Sequence, residues 1–420
     1  MIFPFFLFLT LISSIQSDEG SEWNENRKLQ LFQGDIILEK EEYAEAFEKS
    51  KKHRSRRQIV KNSNWPDGIV YFEYDSELSP KFKYLFKKGM KIISSKTCVK
   101  FEESGPENSN RALLINRGYC SSHIGKKARG GIQYVSVGDG CSQLGNVIHE
   151  LLHCLGIMHS MSRYDRDKFL KINYQNMDDT DRLNYDYYDS TESIQAVPFE
   201  YGSAMTYSSN SIAQPRNEQY LYTMGNRRTT FYDIYALYTA YQCSCPNKID
   251  CKNGGVPNAA DCTKCFCPDG FGGKFCEDAP NFSKKVMAGS EWAELTTSFG
   301  YDGLSEWEFK EFTIFIEAPK DKTIQVILTR MVNFGCLVRC SWNGVEIKYM
   351  GDPRITNPLI CCTDHSLFNS TVTSKLNPTP VILYTRGAKQ EITLKYRFID
   401  RNLADLPKTN NSFDSFEYPL

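Results

Sequence analysis

Hydrophobic and polar residues alternate in short runs along this chain of 420 residues. Ile69-Val-Tyr-Phe-Glu-Tyr and Ile132-Gln-Tyr-Val-Ser-Val have the period of two that half-buried strands show. Residues 81–96 instead have a Lys-rich helical spacing, and a second helical run ends at Gly156. This mixture predicts an α+β domain over residues 58–244.

The C-terminal part of the chain has the strand period without helical segments. Thr323-Ile-Gln-Val-Ile-Leu-Thr, Val381-Ile-Leu-Tyr-Thr and Glu391-Ile-Thr-Leu-Lys-Tyr-Arg-Phe all alternate. Several such strands predict a β-sandwich over residues 281–400, and residues 401–420 are predicted to be a flexible tail. The length agrees, because about 150 residues per domain gives roughly three domains.

The apolar N-terminal run indicates the compartment in which the protein is expected to function. Residues 2–12, IFPFFLFLTLI, form an apolar run too short to span a bilayer. They are predicted to belong to a signal peptide, residues 1–17, cleaved after Ser17; the alternative is a buried N-terminal strand. No later segment resembles a membrane helix or lipid anchor. A secreted, extracellular protein is expected, and the sequons at Asn281, Asn369 and Asn410 predict glycosylation.

Residues 18–57 are polar, highly charged and free of cysteine, and they end in Lys51-Lys-His-Arg-Ser-Arg-Arg57. Such a run is often a solvated stretch or a nucleic-acid tail. In a secreted chain it resembles the cleavage site of furin-type proprotein convertases. We therefore expect a removable pro-segment, cut after Arg57. The balance of 50 basic and 51 acidic residues argues against a general nucleic-acid binder, which needs a basic surface.

The 15 cysteines are unevenly placed: none precedes Cys98, and six fall between Cys245 and Cys276. Dense cysteine indicates an oxidising compartment or a metal. Residues 245–277 are too few to bury an adequate core, so their cysteines are predicted to form disulfides. A zinc knuckle is the alternative.

One helix carries a metal-binding pattern, His149-Glu-x-x-His153-x-x-Gly-x-x-His159. Positions i and i+4 share a helix face, so His149 and His153 can bind one zinc ion at about 2.0–2.1 Å. Gly156 can adopt a left-handed conformation, which ends the helix and returns His159 to the metal. Glu150 lies on the neighbouring flank, where its carboxylate can deprotonate a zinc-bound water. One zinc per subunit is expected.

Downstream lies Tyr201-Gly-Ser-Ala-Met205-Thr-Tyr207, in which Met205 would form the Met-turn of a metzincin. Together with the run from His149 to Asp167, which ends in Arg-Tyr-Asp-Arg-Asp, the sequence resembles the astacin metalloendopeptidases over residues 30–244. The resemblance implies a metzincin catalytic fold, three histidine ligands and Glu150 as general base. It also departs from the family pattern, because Cys154 replaces a usual Ala.

The resemblance implies further roles. Tyr207 would ligate zinc at rest and stabilise the oxyanion during the reaction. Phe32-Gln-Gly-Asp35-Ile matches the pro-segment motif in which the aspartate holds the zymogen latent. Residues 245–277 look like an EGF module, and residues 281–400 like a CUB domain, as in nematode astacins. The implied disulfides are Cys98–Cys243 and Cys120–Cys141 in the catalytic domain, and Cys245–Cys262, Cys251–Cys265 and Cys267–Cys276 in the EGF-like module.

Four cysteines then remain in the sandwich, Cys336, Cys340, Cys361 and Cys362. Adjacent cysteines rarely bond each other, so Cys336 and Cys340 are expected to pair with Cys361 and Cys362, in either of two ways. This count uses fourteen of the 15 cysteines and leaves Cys154 as a free thiol.

These observations predict a secreted zinc endopeptidase, made as a zymogen, that hydrolyses peptide bonds of extracellular proteins or peptides. A proprotein convertase would activate it. An extracellular binding protein with a vestigial protease domain is the alternative, but it would not need His149, Glu150, His153, His159 and Tyr207 together. A purely structural matrix protein does not explain the zinc pattern. The sequence does not identify the substrate.

Overall fold

A computed structural model describes residues 31–39, 63–106, 109–127, 130–187, 197–303 and 307–401. The predicted signal peptide, most of the pro-segment, the C-terminal tail beyond residue 401, Ser17, Arg57 and Asn410 lie outside the described residues. No helix in the described ranges is long and apolar enough to cross a membrane.

The N-terminal half is built on a seven-stranded sheet of order β1-β2-β6-β7-β5-β3-β4. Strands β3, β5 and β7 run parallel through its centre, and β6 is antiparallel to β7. Strand β2 pairs in parallel with β6. The short hairpin β1–β2 of the N-terminal segment therefore adds two strands to the sheet on the β6 side. The strands are β1 (Leu31–Phe32), β2 (Ile36–Ile37), β3 (Ile69–Tyr74), β4 (Lys100–Glu103), β5 (Arg111–Ile115), β6 (Ser121–His123) and β7 (Ile132–Ser136).

Two helices, α1 (Pro80–Ser94) and α2 (Leu144–Cys154), pack against each other and against the sheet. Gly89 of α1 allows this close approach, because a Cβ there would lie 3.0 Å from a methyl group of Leu151. The buried residues of both helices share one core cluster with the strands. This packing gives α2 a fixed position against strand β6 of the sheet.

The remainder of this half holds α3 (Asp179–Asn184), the strand pair β8 (Leu170–Ile172) and β9 (Ala213–Pro215), and α4 (Phe231–Ala240). Helix α4 begins with a capping box: Thr230 accepts from the Asp233 backbone, and the Asp233 carboxylate accepts from the Thr230 backbone. This cap fixes the start of α4 beside the chain segment that leads to Met205.

A compact segment follows α4, with one hairpin made of β10 (Val256–Pro257) and β11 (Cys265–Phe266). Phe266 stacks on Phe231 of α4 with ring centroids 4.5 Å apart, which attaches the segment to the N-terminal half. The segment contains the disulfides Cys245–Cys262, Cys251–Cys265 and Cys267–Cys276.

Two antiparallel-rich sheets occupy the stretch predicted to be a β-sandwich. Their strand orders are β12-β14-β19-β16-β17 and β13-β20-β15-β18, and their apolar residues form one shared cluster. We call this unit, residues 281–401, the sandwich. Its strands are β12 (Ser283–Met287), β13 (Ala293–Phe299), β14 (Lys310–Glu317), β15 (Lys322–Val332), β16 (Asn343–Ile347), β17 (Leu359–Ile360), β18 (Val372–Thr373), β19 (Thr379–Thr385) and β20 (Gln390–Asp400).

The sandwich disulfides follow one of the two expected pairings, Cys336–Cys362 and Cys340–Cys361. In the N-terminal half the bridges are Cys98–Cys243 and Cys120–Cys141. All 15 cysteines lie in the described ranges, and Cys154 is the one without a disulfide partner.

Cys154 should be unreactive in the folded protein and become reactive when the protein unfolds. Its thiol is fully buried near the Gln133 amide, and burial raises the pKa of the thiol to about 12. Because thiolates are the reactive form, iodoacetamide should label the native chain negligibly. Under denaturing, non-reducing conditions mass spectrometry should find one label, on Cys154. Label on any other cysteine would contradict the disulfide set.

Candidate metal centre

Helix α2 and the turn after it bring three histidines together. His149 and His153 lie four residues apart on one face of α2, which ends at Cys154. Gly156 follows with φ +96°, a left-handed conformation that glycine adopts without steric cost. The Gly156 and Ile157 amides donate to the carbonyls of His153 and Leu152, which closes the helix end. The chain therefore reverses, and His159 returns to the first two histidines.

The three Nε2 atoms converge on one point. Nε2 of His159 lies 3.1 Å from Nε2 of His153 and 3.2 Å from Nε2 of His149. Bonds of about 2.0–2.1 Å in a tetrahedron separate neighbouring ligand atoms by about 3.3 Å, so these spacings suit zinc. All three side chains are at most 1% exposed.

The hydrogen bonds of the three Nδ1 atoms indicate which ring nitrogens are free to bind a metal. Each Nδ1 lies 2.8 Å from an oxygen: the Ala204 carbonyl for His149, the Ile157 carbonyl for His153 and the Gln33 amide for His159. These oxygens accept the Nδ1 proton and thereby set the tautomer. Three Nε2 lone pairs then face one another in a buried pocket, which is stable only around a cation. The donor set therefore fits zinc.

Asp35 of the N-terminal segment lies at the same centre. Its Oδ2 is 3.1 Å from Nε2 of His149, and its Oδ1 is 3.3 Å from Nε2 of His159 and 3.7 Å from Nε2 of His153. The ligand atoms of all four residues lie within 4.8 Å of one another.

Glu150 is buried beside this centre and is 1% exposed. Its Oε2 has no hydrogen-bond partner among the described residues. Burial, and secondarily the Asp35 charge, raise the pKa of the Glu150 carboxyl well above its usual value. A buried carboxylate oxygen left unpaired beside a metal site can accept a proton from a water molecule there.

The segment around Met205 forms the floor of the site. Met205 is 1% exposed and packs in the same core cluster as the buried residues of α2. Asp233 of α4 holds this segment: its carboxylate accepts from the Ser203 hydroxyl at 2.5 Å and from the Ala204 amide at 2.9 Å. The Ala204 carbonyl is thereby fixed toward His149. The Met-turn thus contributes to the metal centre through a backbone carbonyl, that of Ala204, which positions the His149 ring.

Tyr207 contacts the N-terminal segment that contains Gln33 and Asp35. Its hydroxyl donates to the Gln33 carbonyl, and its ring centroid lies 4.8 Å from that of His159. The Tyr207 side chain thus borders the metal centre, while Asp35 occupies the position nearest the three Nε2 atoms.

Two residues at the site were missed by the sequence reasoning. Gln33 lies inside the quoted motif Phe32-Gln-Gly-Asp35, yet nothing in the motif indicated that its amide would reach His159. Arg227 is 78 residues from His149 along the chain, but its Nη1 lies 2.5 Å from Nδ1 of that ring. No spacing rule connects the two.

The predicted glycosylation sites within the described ranges, Asn281 and Asn369, are both exposed and lie in the sandwich.

Comparisons with known proteins agree with this site. The family model for astacin, a family of peptidases, matches residues 57–242. Zinc metalloproteinase nas-17 of Caenorhabditis elegans is 38% identical over 98% of this chain and 97% of its own length. Zinc metalloproteinase nas-16 of the same organism is 36% identical over 99% of this chain and 93% of its own length.

Among solved structures, the high choriolytic enzyme 1 of medaka fish (Oryzias latipes), a hatching enzyme zinc-protease, is 25% identical with a TM-score of 0.39. That match covers 43% of this chain and 94% of the hatching enzyme. The family assignment rests on the sequence matches, which span nearly the whole of both chains. Together with the His149, His153 and His159 centre, they show that the chain belongs to the astacin family of peptidases and is a zinc metalloendopeptidase.

Proposed function

We propose that this chain is a secreted endopeptidase, made as a latent zymogen, that hydrolyses peptide bonds of extracellular proteins. The observation that carries the proposal is the position of Asp35, a pro-segment carboxylate inserted among the three Nε2 atoms and next to Glu150. His149, His153 and His159 would hold the zinc. When bound, the metal would polarise the substrate carbonyl and lower the pKa of a water molecule.

Glu150 would act as the general base. It is buried, it directly follows a ligand residue on α2, and its Oε2 has no hydrogen bond within the described ranges. It would take the proton from the attacking water and then give it to the leaving amine. The low-polarity pocket strengthens this role, because a carboxylate without competing donors is a better proton acceptor.

Tyr207 would stabilise the charge that develops on the carbonyl oxygen. In the latent form its hydroxyl donates to a backbone carbonyl, that of Gln33. This contact supports the proposal, because the side chain reaches a carbonyl oxygen beside the metal centre. After removal of the pro-segment the hydroxyl would donate to the substrate oxygen in the same region, and a hydrogen bond to developing negative charge favours the transition state.

The pro-segment also covers a sheet edge that a substrate would need. Strand β2 pairs with β6, and the Ser122 amide donates to the Asp35 carbonyl at 2.9 Å. Phe32 and Ile36 are fully buried in a small apolar cluster at this edge. Once the segment leaves, β6 presents free backbone groups, to which an extended peptide could add as a strand. Latency would thus combine an occupied metal centre with an occupied binding edge.

The other parts of the proposal concern processing and context. Cleavage after Arg57 by a proprotein convertase would release the pro-segment, after secretion directed by the signal peptide with its end at Ser17. The exposed Asn281 and Asn369, together with Asn410, would carry glycans. The cysteine-rich segment would be an EGF-like module and the sandwich a CUB-like domain. Seven disulfides favour an oxidising compartment.

Replacing the base should remove activity without removing zinc. The Glu150→Gln variant, activated and assayed on casein, should lose about 10²–10⁴-fold in turnover, because general-base catalysis contributes about that much. It should still bind about one zinc per chain by metal analysis, since Glu150 is not among the clustered ligand atoms. Glu102→Gln, on exposed β4 at the far sheet edge, is the matched control. Full activity of Glu150→Gln would exclude the mechanism.

Replacing Asp35 should produce a leaky zymogen. In a chain made uncleavable at Arg57, Asp35→Ala should raise peptidase activity at least about tenfold over the uncleaved parent, because the carboxylate no longer contacts the metal centre. Glu39→Ala is the control. Glu39 lies in the same N-terminal segment as Asp35, and its replacement removes an ion pair with Lys127 while Asp35 stays in place. If uncleaved Asp35→Ala is as silent as the parent, other pro-segment contacts maintain latency.

Removing the Tyr207 hydroxyl should affect turnover more than substrate affinity. Tyr207→Phe in the activated enzyme should lower kcat by about 10²-fold, because the lost hydrogen bond forms as oxyanion charge develops. KM should change little. Tyr201→Phe, whose hydroxyl donates to the Phe169 carbonyl, is the neighbouring control. An effect confined to KM would assign Tyr207 to substrate binding.

A further inference from the structure

The sandwich contacts the N-terminal half at the elements that build the metal centre. The first contact is at the start of α2. The amide of Leu144, the first residue of α2, donates to the Trp307 carbonyl at 2.9 Å. A free amide at a helix start needs an acceptor, and here the sandwich supplies it. Nearby, Lys88 of α1 forms an ion pair with Glu308.

The second contact is at the Met-turn. Glu200, which is 4% exposed, accepts from the Gly202 amide with one oxygen and from the Thr356 amide of the sandwich with the other, both at 3.0 Å. The backbone of Gly202 lies so close to Thr356 that a Cβ there would come within 2.7 Å of the Thr356 side chain. One buried carboxylate therefore ties the Met-turn to the sandwich.

The third contact involves Asn226 and Arg228. The Asn226 side-chain amide donates to the carbonyls of Arg339 and Cys340, both at 2.8 Å, and contacts the Tyr384 hydroxyl at 3.2 Å. Asn226 is 2% exposed, so these bonds are shielded from water. This anchor binds the residue before Arg227 to the sandwich backbone.

Arg228 anchors the other side of Arg227. It is 6% exposed and pairs with Glu311 at 2.9 Å and with Glu346 at 3.3 Å. Glu346 is fully buried and also pairs with Lys348 at 3.1 Å. Breaking one partner of a buried charge group is costly because the remaining charge is left without compensation. The position of Arg228 on the sandwich is therefore firmly fixed.

Arg227 lies between these two anchors, and its side chain points toward the metal centre rather than toward the sandwich. Its φ is +67°, a conformation unusual for a residue with a side chain, and the two anchors hold it there. The Arg227 carbonyl lies against Gly145 of α2, where a Cβ would come within 1.9 Å of the oxygen. Its guanidinium donates to the Ala204 carbonyl, the same oxygen that faces Nδ1 of His149 at 2.8 Å.

We propose that the segment Asn226–Arg228 is a connector through which the sandwich positions the metal centre, with Arg227 as a positioning residue for His149. The Ala204 carbonyl has two lone pairs, and it accepts from both the Arg227 guanidinium and the His149 ring, while the same guanidinium nitrogen also lies 2.5 Å from Nδ1 of that ring. Arg227 thus fixes the acceptor that sets the tautomer and angle of a zinc ligand. Loss of such an outer partner typically costs about 10–100-fold in metal affinity or activity. The proposal rests on the zinc site described above.

Zinc affinity of the uncleaved full chain, measured by competition with a chromogenic chelator, tests the role of Arg227. Arg227→Met should weaken affinity about 10–100-fold, while its thermal midpoint stays near that of the parent because the side chain is half-buried. Arg227→Lys, which retains a donor for the Ala204 carbonyl, should recover most of the loss. The control is Arg216→Met, whose guanidinium donates to the Asp167 carbonyl instead. Unchanged affinity in Arg227→Met would overturn the proposal.

A double-mutant comparison tests the connection to the sandwich. Glu346→Gln should weaken zinc affinity several-fold, although Glu346 belongs to the sandwich, and Glu391→Gln, in an exposed pair with Arg330, should not. In the Arg227→Met background, Glu346→Gln should have no further effect, because its influence passes through Arg227. Independent, multiplying effects would overturn the connector. If Glu346→Gln does not fold, Tyr384→Phe replaces it, since it removes a single hydroxyl, which contacts Asn226 and donates to the Cys340 carbonyl.

Failure of the enzyme function and failure of the connector give different results. If the parent chain binds no zinc, the proposed enzyme function fails and the connector fails with it. If the parent binds zinc and Arg227→Met binds it equally well, the connector alone is wrong. If Arg216→Met loses as much affinity as Arg227→Met, the effect is a general one of losing an arginine, and the positioning role is excluded.

Discussion

Three imidazole lone pairs that meet in a buried pocket impose the main constraint on this structure. Nε2 atoms 3.1 and 3.2 Å apart repel one another unless a cation lies between them. Each ring must therefore be held in place by a hydrogen bond at its outer nitrogen, Nδ1. Three separate parts of the chain supply the acceptors: a carbonyl after the helix end for His153, the Met-turn carbonyl for His149 and the Gln33 side-chain amide for His159. The helix, the Met-turn and the N-terminal segment therefore form one assembly around the three rings.

In the proposed latent form, the N-terminal segment occupies contacts that catalysis would need. Gln33 illustrates this, because its side-chain oxygen accepts from His159 while its carbonyl accepts from Tyr207. Its amide nitrogen is in turn held by the Ser162 hydroxyl at 2.6 Å and the Asn184 carbonyl at 2.9 Å. If the N-terminal segment is removed as we propose, His159 and Tyr207 would each lose a partner when the centre loses Asp35. The proposed activation would therefore change the metal ligands, the support of His159 and the partner of the Tyr207 hydroxyl together.

The sequence could predict what local geometry determines. The four-residue spacing of His149 and His153 follows from the helix period, and the return of His159 follows from a glycine at a helix end. The strands of the sandwich could be predicted for the same reason, because the alternation of apolar and polar residues is a local property of the sequence. Arg227 and Glu346 could not be found in this way. Their roles depend on contacts across 78 and 118 positions of the chain, and a charged residue alone indicates a solvated surface.

The placement of charges explains why the sandwich holds the N-terminal half in one arrangement. The hydrophobic effect has no preferred direction, so apolar burial alone specifies the relative position of two parts less strictly than paired charges do. Here Arg228, Lys348, Glu311 and Glu346 lie between the two parts, and Glu346 is completely enclosed. A shift that separated Arg228 from Glu311 and Glu346 would leave a buried guanidinium without its carboxylates, at a cost of about 3–5 kcal/mol. The same shift would move Asn226 and Arg228, and therefore Arg227, away from the carbonyl shared with His149. The precision of the metal centre thus depends on a charge group that lies in another part of the fold.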